Sequence, residues 1–217
     1  MTLTVGIAGI TGRFGRRLAA HLLQRPAVTV HGYCRSPQKV DAALLNQHQS
    51  RLQLFAGEAD DASAVAAFVQ PCDVVVCAYL GDNALMFDAQ KLLVDACDVA
   101  RVPRYVAGDW SLDYTRLQLG ELPPKDPMIR VKAHLETKEH VKGLHVLNGA
   151  FMEVLFSPFF GALDVPARKM RYWGSGDEVL ESTTYDTAAA YTAAMIVDPL
   201  AVGIKKGELE AILYFLM

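Results

Sequence analysis

The sequence predicts a doubly wound α/β fold, in which one parallel sheet is covered by helices on both faces. Over the first 150 residues, short runs rich in β-branched residues alternate with longer segments whose apolar residues recur at helical spacing. Some short runs are apolar almost throughout, as at residues 73–79, which is typical of a parallel strand buried on both sides. Strands separated by helices in this way imply right-handed βαβ crossovers and a parallel sheet.

The first half of this sheet is predicted from three strands. Residues 3–9 read as the first strand, and residues 14–24 follow as a helix with apolar residues on one face. Pro26 ends that helix. The second and third strands are predicted at residues 28–34 and 52–56.

The second half continues the same alternation with three further strands. An aspartate at position 60 or 61 is a suitable N-cap for the first of its helices. The predicted strands are residues 73–79, 104–108 and 144–148, and the preceding helices are residues 64–69, 84–100 and 128–140. After Asn148 the pattern changes, with a further strand expected at residues 169–174 and a helix at residues 184–198.

Composition and charge exclude several classes of protein. The chain has 217 residues, 52% of them hydrophobic, which suits one medium domain with a sizeable core. The formal net charge of −3 lacks the basic footprint of nucleic-acid binding proteins. No apolar run is long enough to cross a bilayer, and the N-terminus lacks the basic region of a secretory signal. We therefore expect a cytoplasmic protein with neither a membrane nor a nucleic-acid partner.

The four cysteines predict buried free thiols in a reducing compartment. None of the four, Cys34, Cys72, Cys77 and Cys97, forms a Cys-x-x-Cys pair, and three lie in apolar runs. The six histidines show no metal-ligand spacing, so no metal is expected. A Gly-x-Ser-x-Gly motif is missing from the sequence, which argues against a hydrolase triad.

The strongest functional signal is a glycine-rich loop directly after the first strand. Gly9, Gly12 and Gly15 form Gly-x-x-Gly-x-x-Gly and open a helix. Glycine lets the backbone turn tightly and approach a pyrophosphate, and the helix N-terminus offers N–H donors to its oxygens. Thr11 adds a hydroxyl donor. Because strand, loop, helix and second strand occur in the required order, the loop predicts a dinucleotide site in a Rossmann fold.

The residues after the second strand favour NADP over NAD. An acidic residue there would bind the adenosine ribose and favour NAD, but residues 28–40 contain none. Arg35 instead provides a guanidinium for a 2′-phosphate, and Lys39 adds a second positive charge. A solvated loop arginine is the alternative interpretation of Arg35.

Four stretches carry a resemblance to a known family. They are residues 9–15 with Arg35, residues 104–115, residues 146–152, and residues 172–177 with 183–188. In these stretches the chain resembles the NmrA-like and isoflavone-reductase-like atypical short-chain dehydrogenases, especially their fungal members. The first stretch is generic to Rossmann proteins, and the other three are more specific to this group.

The resemblance implies an NADP-binding Rossmann domain over residues 1–150 and a small substrate-facing part over residues 151–217. By this resemblance, Arg35 meets the 2′-phosphate, residues 78–80 pass the nicotinamide ribose, and the loop after the sixth strand borders the nicotinamide and the substrate. The implied cofactor-binding residues are Gly9, Thr11, Gly12, Arg13, Phe14, Gly15, Arg35, Lys39, Ala78, Tyr79, Leu80, Asn148 and Phe151.

The catalytic groups follow the family pattern less closely. Reductases of this family carry a lysine near the start of the helix before the sixth strand, but residues 128–130 fall closest to that position here. Lys132 matches only if the loop is shortened, and a solvated helix lysine is the alternative. Tyr114 and Asp109 follow the fifth strand, where they suit either a catalytic role or the capping of a loop. The Tyr-x-x-x-Lys spacing of ordinary short-chain dehydrogenases does not occur in the expected region.

The C-terminal part is shorter than the resemblance leads us to expect. Family members carry a longer substrate domain, which indicates a truncated or remodelled end and a pocket left open or completed by a partner subunit. The apolar residues 207–217 are consistent with a homodimer interface and equally with a helix packed on its own core. Four phenylalanines, at positions 151, 156, 159 and 160, suit a core more often than a substrate pocket.

The sequence therefore leads to three functional hypotheses. The first is an NADPH-dependent reductase that transfers hydride to an aromatic or polyketide-like small molecule. The second is a regulator that binds NADP and signals through a partner surface without chemistry. The third is an enzyme of the same fold with non-redox chemistry, because a fold alone does not fix a reaction.

Overall fold

A computed structural model describes residues 2–172 and 174–206. The strands are β1 (Leu3–Ala8), β2 (Val28–Cys34), β3 (Leu52–Ala56), β4 (Val74–Cys77), β5 (Arg104–Val106), β6 (Lys142–Leu147), β7 (Ala150–Phe151), β8 (Leu163–Asp164), β9 (Lys169–Met170), β10 (Ser182–Thr183) and β11 (Gly203–Lys206). The α-helices are α1 (Arg13–Leu23), α2 (Ala42–Gln47), α3 (Ala62–Val69), α4 (Gln90–Val99), α5 (Asp126–Glu136), α6 (Met152–Leu155) and α7 (Tyr185–Val197).

Seven strands form one sheet in the order β11-β6-β5-β4-β1-β2-β3, and every pair in it is parallel. This arrangement confirms the predicted doubly wound fold. The chain moves outward from β1 in one direction as far as β3, and then crosses to β4 on the other side. Ligands of such sheets bind at the carboxyl ends of the strands near this switch point.

The two faces of the sheet carry separate cores. On one face, α1 and α7 pack together over residues such as Val5, Ile7 and Leu18. On the other face, the buried side chains of α3, α4 and α5 form the second core with β4 and β5. Because a crossover helix follows the carboxyl end of the strand before it, α1 begins at the carboxyl edge of the sheet, separated from β1 by four residues.

All four cysteines are buried with free thiols, as the sequence predicts. Burial raises the pKa of Cys72 and of Cys77 to about 12. Both thiols consequently stay protonated at neutral pH and pack as small apolar side chains.

Three local predictions need correction. The helix before β6 covers Asp126–Glu136 rather than residues 128–140, because the chain leaves the helix at Thr137 to enter β6. The helix expected at residues 84–100 begins with a π-helical turn over Ala84–Ala89. The strand expected at residues 169–174 is reduced to β9, which pairs antiparallel with β8, and Trp173 lies outside the described residues.

Among the elements that were not predicted, two adjoin the main sheet or connect its strands. Strand β11 adds a seventh strand beside β6, and α2 lies between β2 and β3. Since α7 and β11 pack on the sheet of the first 150 residues, part of the stretch after residue 150 completes that sheet and its cover. The domain boundary at residue 150 stays a prediction, and residues 207–217 lie outside the described part of the chain.

None of the helices within residues 2–172 and 174–206 is long and apolar enough to span a membrane.

Candidate functional site

The glycine loop is shaped by close backbone contacts that a side chain would disturb. Gly9 has a φ of +86°, and a Cβ on it would lie 2.8 Å from the carbonyl oxygen of Ala78. A Cβ on Gly15 would lie 2.5 Å from the carbonyl oxygen of Gly9, so α1 approaches the loop to a distance that glycine alone permits. The N–H of Gly12 donates to the Gly9 carbonyl at 2.9 Å and closes the turn.

The start of α1 is left free for an anion. Its N-cap is Gly12, no side chain caps the helix, and its first turn carries no acidic residue. The first N–H groups of a helix have no partners within the helix, and the dipole makes this end positive. Arg13 stands at the first helical position, whereas the buried ring of Phe14 packs on Trp110 at 4.0 Å. Phe14 is therefore placed to offer a backbone N–H rather than its side chain.

A polar pocket opens beside this loop at the carboxyl end of β2. It is lined by Thr11, Arg35, Ser36, Lys39 and Glu58. Both predicted cationic residues are here, so the structure brings Arg35 and Lys39 together with the glycine loop. Glu58 was not predicted, and its carboxylate lies 3.9 Å from the Nε of Arg35. Glu58 follows β3, which is hydrogen-bonded next to β2.

Glu58 is expected to limit the affinity of this pocket for a 2′-phosphate, since it pairs with Arg35 and is itself negative. The variant Glu58→Gln is expected to bind NADPH about two- to fivefold more tightly, a range set by the worth of an exposed ion pair. Calorimetric titration of NADPH and NADH measures the change, with Glu139→Gln as a control at an exposed carboxylate remote from the pocket. Weaker binding of both nucleotides by Glu58→Gln would contradict this role.

The carboxyl end of β4 provides the next wall. The N–H of Ala78 donates to the carbonyl of Ala8 at 2.8 Å, and its own carbonyl lies under Gly9. The hydroxyl of Tyr79 is buried without a hydrogen-bond partner among the described residues. Burial raises the pKa of Tyr79, so this phenol stays protonated. Leu80 is 84% exposed and has no packing role of its own.

A buried polar cluster lies at the carboxyl end of β5. The hydroxyl of Tyr114 donates to Oδ2 of Asp109 at 2.9 Å, and Nδ1 of His145 lies 2.7 Å from the same oxygen. Asp109 is 4% exposed and Tyr114 is 1% exposed. The structure therefore brings together two of the three predicted catalytic candidates and adds His145, which was not predicted.

The loop after β6 places a second unsatisfied polar group at the same edge. The side-chain amide of Asn148 is buried, and neither its oxygen nor its nitrogen has a hydrogen-bond partner among the described residues. The backbone N–H groups of Asn148 and Gly149 donate to the carbonyl of Ser111, which ties this loop to the loop after β5. Phe151 stacks on Tyr185 at 4.0 Å.

The third catalytic candidate, Lys132, is not brought to this cluster by any described contact. Its ammonium pairs with Glu136 one helical turn away on α5. A different lysine, Lys125, lies immediately before α5 and is half-buried. Burial lowers the pKa of Lys125, and the charge of Asp109 offsets part of this shift.

The aromatic residues near the site divide between core and surface. The indole of Trp110 is buried, and its Nε1 donates to the hydroxyl of Thr192 on α7 at 3.0 Å. Trp110 also has a φ of +28°, a conformation that non-glycine residues rarely adopt. Phe159, in contrast, is 90% exposed. Trp110 therefore fixes the loop after β5 against α7 instead of lining an open pocket.

Gln90 is a further residue that the sequence did not indicate. Its Oε1 accepts from the N–H of Gly108 at 2.8 Å and from the hydroxyl of Tyr105 at 3.2 Å, and its Nε2 donates to the carbonyl of Met86. This amide fixes the chain where β5 leaves the sheet. The sequence signal that could have indicated Gln90 is a glutamine on a helix face whose other residues are apolar.

The residues present fit a nicotinamide dinucleotide. The glycine loop forms a cradle that a Cβ would fill, and α1 offers its unpaired N–H groups beside it. Buried polar atoms without partners occur at the ends of β4, β5 and β6, at Tyr79, Asp109 and Asn148. Since buried polar groups are normally satisfied, such a cluster at one edge of the sheet is suited to a polar ligand.

Comparisons with known proteins agree with this geometry. Residues 9–142 match the model of the NAD(P)H-binding family. An NmrA-like family domain-containing oxidoreductase of Gibberella moniliformis (strain M3125 / FGSC 7600) is 27% identical over 139 residues, which are 63% of this chain and 45% of that relative. The chain thus matches less than half the length of that relative.

Solved structures show the same fold at lower identity. AtPrR2 with NADP+ and (+)pinoresinol superposes with a TM-score of 0.76 at 19% identity, covering 95% of this chain and 70% of that one. An isoflavone reductase gives a TM-score of 0.72 at 19% identity, covering 95% and 69%. A leucoanthocyanidin reductase–NADPH complex from Vitis vinifera gives 0.74 at 18% identity, covering 94% and 67%.

The family match spans the glycine loop and four of the seven strands of the sheet, β2 to β5. The relatives and structures agree with the resemblance seen in the sequence. The chain belongs to the NAD(P)H-binding family, has a Rossmann fold, and is similar to an NmrA-like oxidoreductase and, in fold, to isoflavone and pinoresinol reductases.

Proposed function

We propose that this protein is an NADPH-dependent reductase that acts on an aromatic or polyketide-like small molecule. The observation that carries the proposal is the pairing of two features at one sheet edge. A glycine cradle lies beside Arg35 and Lys39, and a buried polar cluster lies at the ends of β5 and β6. The structural neighbours support the substrate class, since one was solved with NADP+ and (+)pinoresinol and another is a leucoanthocyanidin reductase.

The preference for NADPH rests on charge. A 2′-phosphate in the pocket would lie between the guanidinium of Arg35 and the ammonium of Lys39, with the hydroxyls of Thr11 and Ser36 as further donors. Arg35 suits this role because its planar group offers paired N–H donors to phosphate oxygens. NADH would present only ribose hydroxyls to these cations.

The chemistry divides between cofactor and protein. NADPH supplies a hydride to the carbon of a carbonyl or a similarly polarised group. The chain's own task is to hold the nicotinamide and the substrate in line and to give a proton to the developing oxyanion. We infer that Lys125 donates this proton, because it stands half-buried immediately before α5, whereas Lys132 is paired with Glu136. Burial lowers the pKa of Lys125, which makes its ammonium a stronger acid than that of a solvated lysine.

Substitution of Arg35 tests the cofactor preference. The variant Arg35→Ala is expected to weaken NADPH binding about 10- to 100-fold, because a hydrogen bond to a charged group contributes roughly 1.5–3 kcal/mol. NADH affinity is expected to change less than about threefold, since NADH has no 2′-phosphate. Calorimetric titration of both nucleotides into the purified chain measures the two constants.

The control is Arg101→Ala, an exposed arginine between α4 and β5 at the opposite edge of the sheet. It should leave both affinities unchanged. If Arg35→Ala weakens NADH and NADPH equally, Arg35 holds the adenosine and the preference for NADPH fails. Turnover is tested separately, by NADPH consumption with a panel of aromatic carbonyl compounds. Tight NADPH binding without turnover above the rate lacking protein would reject the reductase.

A regulatory function is the second candidate, and exposed apolar side chains favour it. Phe159 is 90% exposed, Val179 94% and Met170 66%, all in the stretch between α6 and α7. Exposed apolar residues in one region are typical of a surface that binds another protein. A regulator would bind NADPH with the same Arg35 dependence and consume none of it, so the turnover measurement separates the two functions.

A further inference from the structure

The carboxylate of Glu58 is an acceptor in a pocket whose other polar groups suit an anion. The pocket is lined by the cations Arg35 and Lys39 and by the hydroxyls of Thr11 and Ser36, all of which can donate to a phosphate. An ionised carboxylate only accepts, so Glu58 offers a phosphate no hydrogen bond and repels its charge. Binding of a 2′-phosphate therefore does not explain Glu58, and its carboxylate suits a ligand that donates hydrogen bonds.

The backbone of Glu58 is held in place from the neighbouring strand. β3 pairs with β2 up to Ala56 opposite Cys34, and the N–H of Gly57 extends this pairing by donating to the carbonyl of Cys34 at 3.3 Å. The hydroxyl of Tyr33, which is 1% exposed, donates to the carbonyl of Glu58 at 2.6 Å. A Cβ on Gly57 would clash with that hydroxyl, so the glycine lets the phenol reach Glu58. The carboxylate consequently extends into the pocket from a fixed backbone.

Arg35 and Glu58 keep hydrogen-bonding capacity for a ligand. The Nε of Arg35 and Oε2 of Glu58 are 3.9 Å apart, beyond the range of a direct hydrogen bond. Both side chains are mostly exposed, and such a pair by itself contributes little to stability. A ribose hydroxyl can accept from a guanidinium and donate to a carboxylate at the same time. The two side chains together are therefore complementary to a hydroxyl, whereas Arg35 alone is complementary to a phosphate.

The acid in this pocket comes from a different strand than the sequence pattern of NAD-binding Rossmann folds predicts. In those folds the carboxylate that binds the adenosine ribose follows the second strand, and residues 28–40 contain no acid here. Glu58 follows the third strand instead, and parallel pairing of β2 with β3 brings it beside Arg35. One pocket therefore holds a cation for the 2′-phosphate of NADPH and an acceptor for the ribose hydroxyls of NADH.

We propose that Glu58 binds the 2′-hydroxyl of the adenosine ribose of NADH and so makes NADH a second cofactor of this chain beside NADPH. The proposal rests on the proposed function, in which this pocket binds the adenosine end of the cofactor. Glu58 contacts only the ribose in this arrangement and takes no part in hydride transfer. Its carboxylate lowers the affinity for NADPH and raises the affinity for NADH, so one residue narrows the difference between the two.

Changes of opposite sign in the two affinities test the proposal. In Glu58→Gln, NADH is expected to bind about three- to tenfold more weakly, since a hydrogen bond to a charged group becomes one to a neutral amide. NADPH is expected to bind more tightly, because the repelling charge is gone. Calorimetric titration of both dinucleotides into the purified chain measures the two constants. The matched control is Asp60→Asn, which removes the same charge from the same loop outside the pocket lining and should change NADH affinity less than about twofold.

A comparison of two ligands isolates the hydroxyl and needs no variant. The analogue of NAD+ that carries 2′-deoxyadenosine lacks this group, and we expect the chain to bind it about three- to tenfold more weakly than NAD+. In Glu58→Leu most of this difference should be lost. Equal binding of both ligands by the unaltered chain would overturn the proposal. So would a loss of NADH affinity in Asp60→Asn as large as that in Glu58→Gln.

The outcomes distinguish a failure of this proposal from a failure of the proposed function. NADPH binding without detectable NADH binding would overturn the role of Glu58 and leave the NADPH-dependent reductase intact. Binding of both dinucleotides without turnover of either would reject the reductase and leave the role of Glu58 intact. A chain that binds neither dinucleotide would overturn both.

Discussion

Alanine at Gly12 is expected to weaken NADPH binding at least about tenfold while the chain keeps its fold. Gly12 has a φ of −68°, which any residue adopts, and a Cβ on it would approach the Gly9 carbonyl oxygen to 3.1 Å. The methyl group therefore fits after a shift of a few tenths of an ångström. It would nevertheless stand at the N-terminus of α1, where the backbone must approach the pyrophosphate.

The measurement pairs calorimetric titration of NADPH with the midpoint of thermal unfolding. Gly12→Ala should lose affinity with little change in the unfolding midpoint. Gly9→Ala should lose both, because φ is +86° there and its Cβ would lie 2.8 Å from the Ala78 carbonyl oxygen. The control Gly120→Ala shares a positive φ of +89° with open space around it, so it reports backbone strain alone. Unchanged NADPH affinity in Gly12→Ala would show that the phosphates bind elsewhere.

The cofactor end of the site could be predicted from the sequence because its residues act locally. Gly9, Gly12 and Gly15 follow one strand and open one helix, so spacing alone brings them together. Arg35 is the first residue after β2, and parallel pairing of β1 with β2 places it beside the loop. Glu58 escaped notice because its position depends on the pairing of β2 with β3 and on where β3 ends.

The catalytic end depends on contacts between distant segments. Asp109 and Tyr114 were predicted because they follow β5. His145 was not predicted because it lies within β6, where the sequence indicates only a buried strand. Its contact with Asp109 joins residues 36 positions apart and depends on the pairing of β5 with β6. Lys125, the proposed proton donor, was not predicted because counting back from β6 pointed to residues 128–130, whereas α5 begins at Asp126.

The fold was predictable up to the sixth strand for a similar reason. Each of those strands has an apolar run of its own, and the helices between them carry a clear buried face. Strand β11 is only four residues long, mostly exposed and rich in lysine, so no buried pattern marks it. It joins the sheet through its register with β6, which the local sequence does not encode.

Replacement of Lys125 by methionine is expected to lower the rate of NADPH-dependent reduction by about 10²- to 10⁴-fold, the usual contribution of a positioned proton donor. Methionine keeps an unbranched apolar side chain in the half-buried position and removes only the ammonium. NADPH affinity should change less than about threefold, because the proposed nucleotide contacts, the glycine loop and Arg35, do not involve Lys125. Steady-state kinetics with a carbonyl substrate, beside a calorimetric titration, measures the two effects.

The matched control is Lys132→Met on the same segment. Its ammonium pairs with Glu136, so the expected change in rate is small. A large loss in Lys132→Met with none in Lys125→Met would instead assign proton donation to Lys132, the lysine indicated by the sequence.

The pH dependence of the rate is an independent test of Lys125 as the proton donor. The donor must be protonated, and burial lowers the pKa of Lys125. The rate should therefore begin to fall at a pH below the ordinary pKa of a lysine side chain. That alkaline limb should vanish in Lys125→Met, because the residual rate no longer depends on the ammonium.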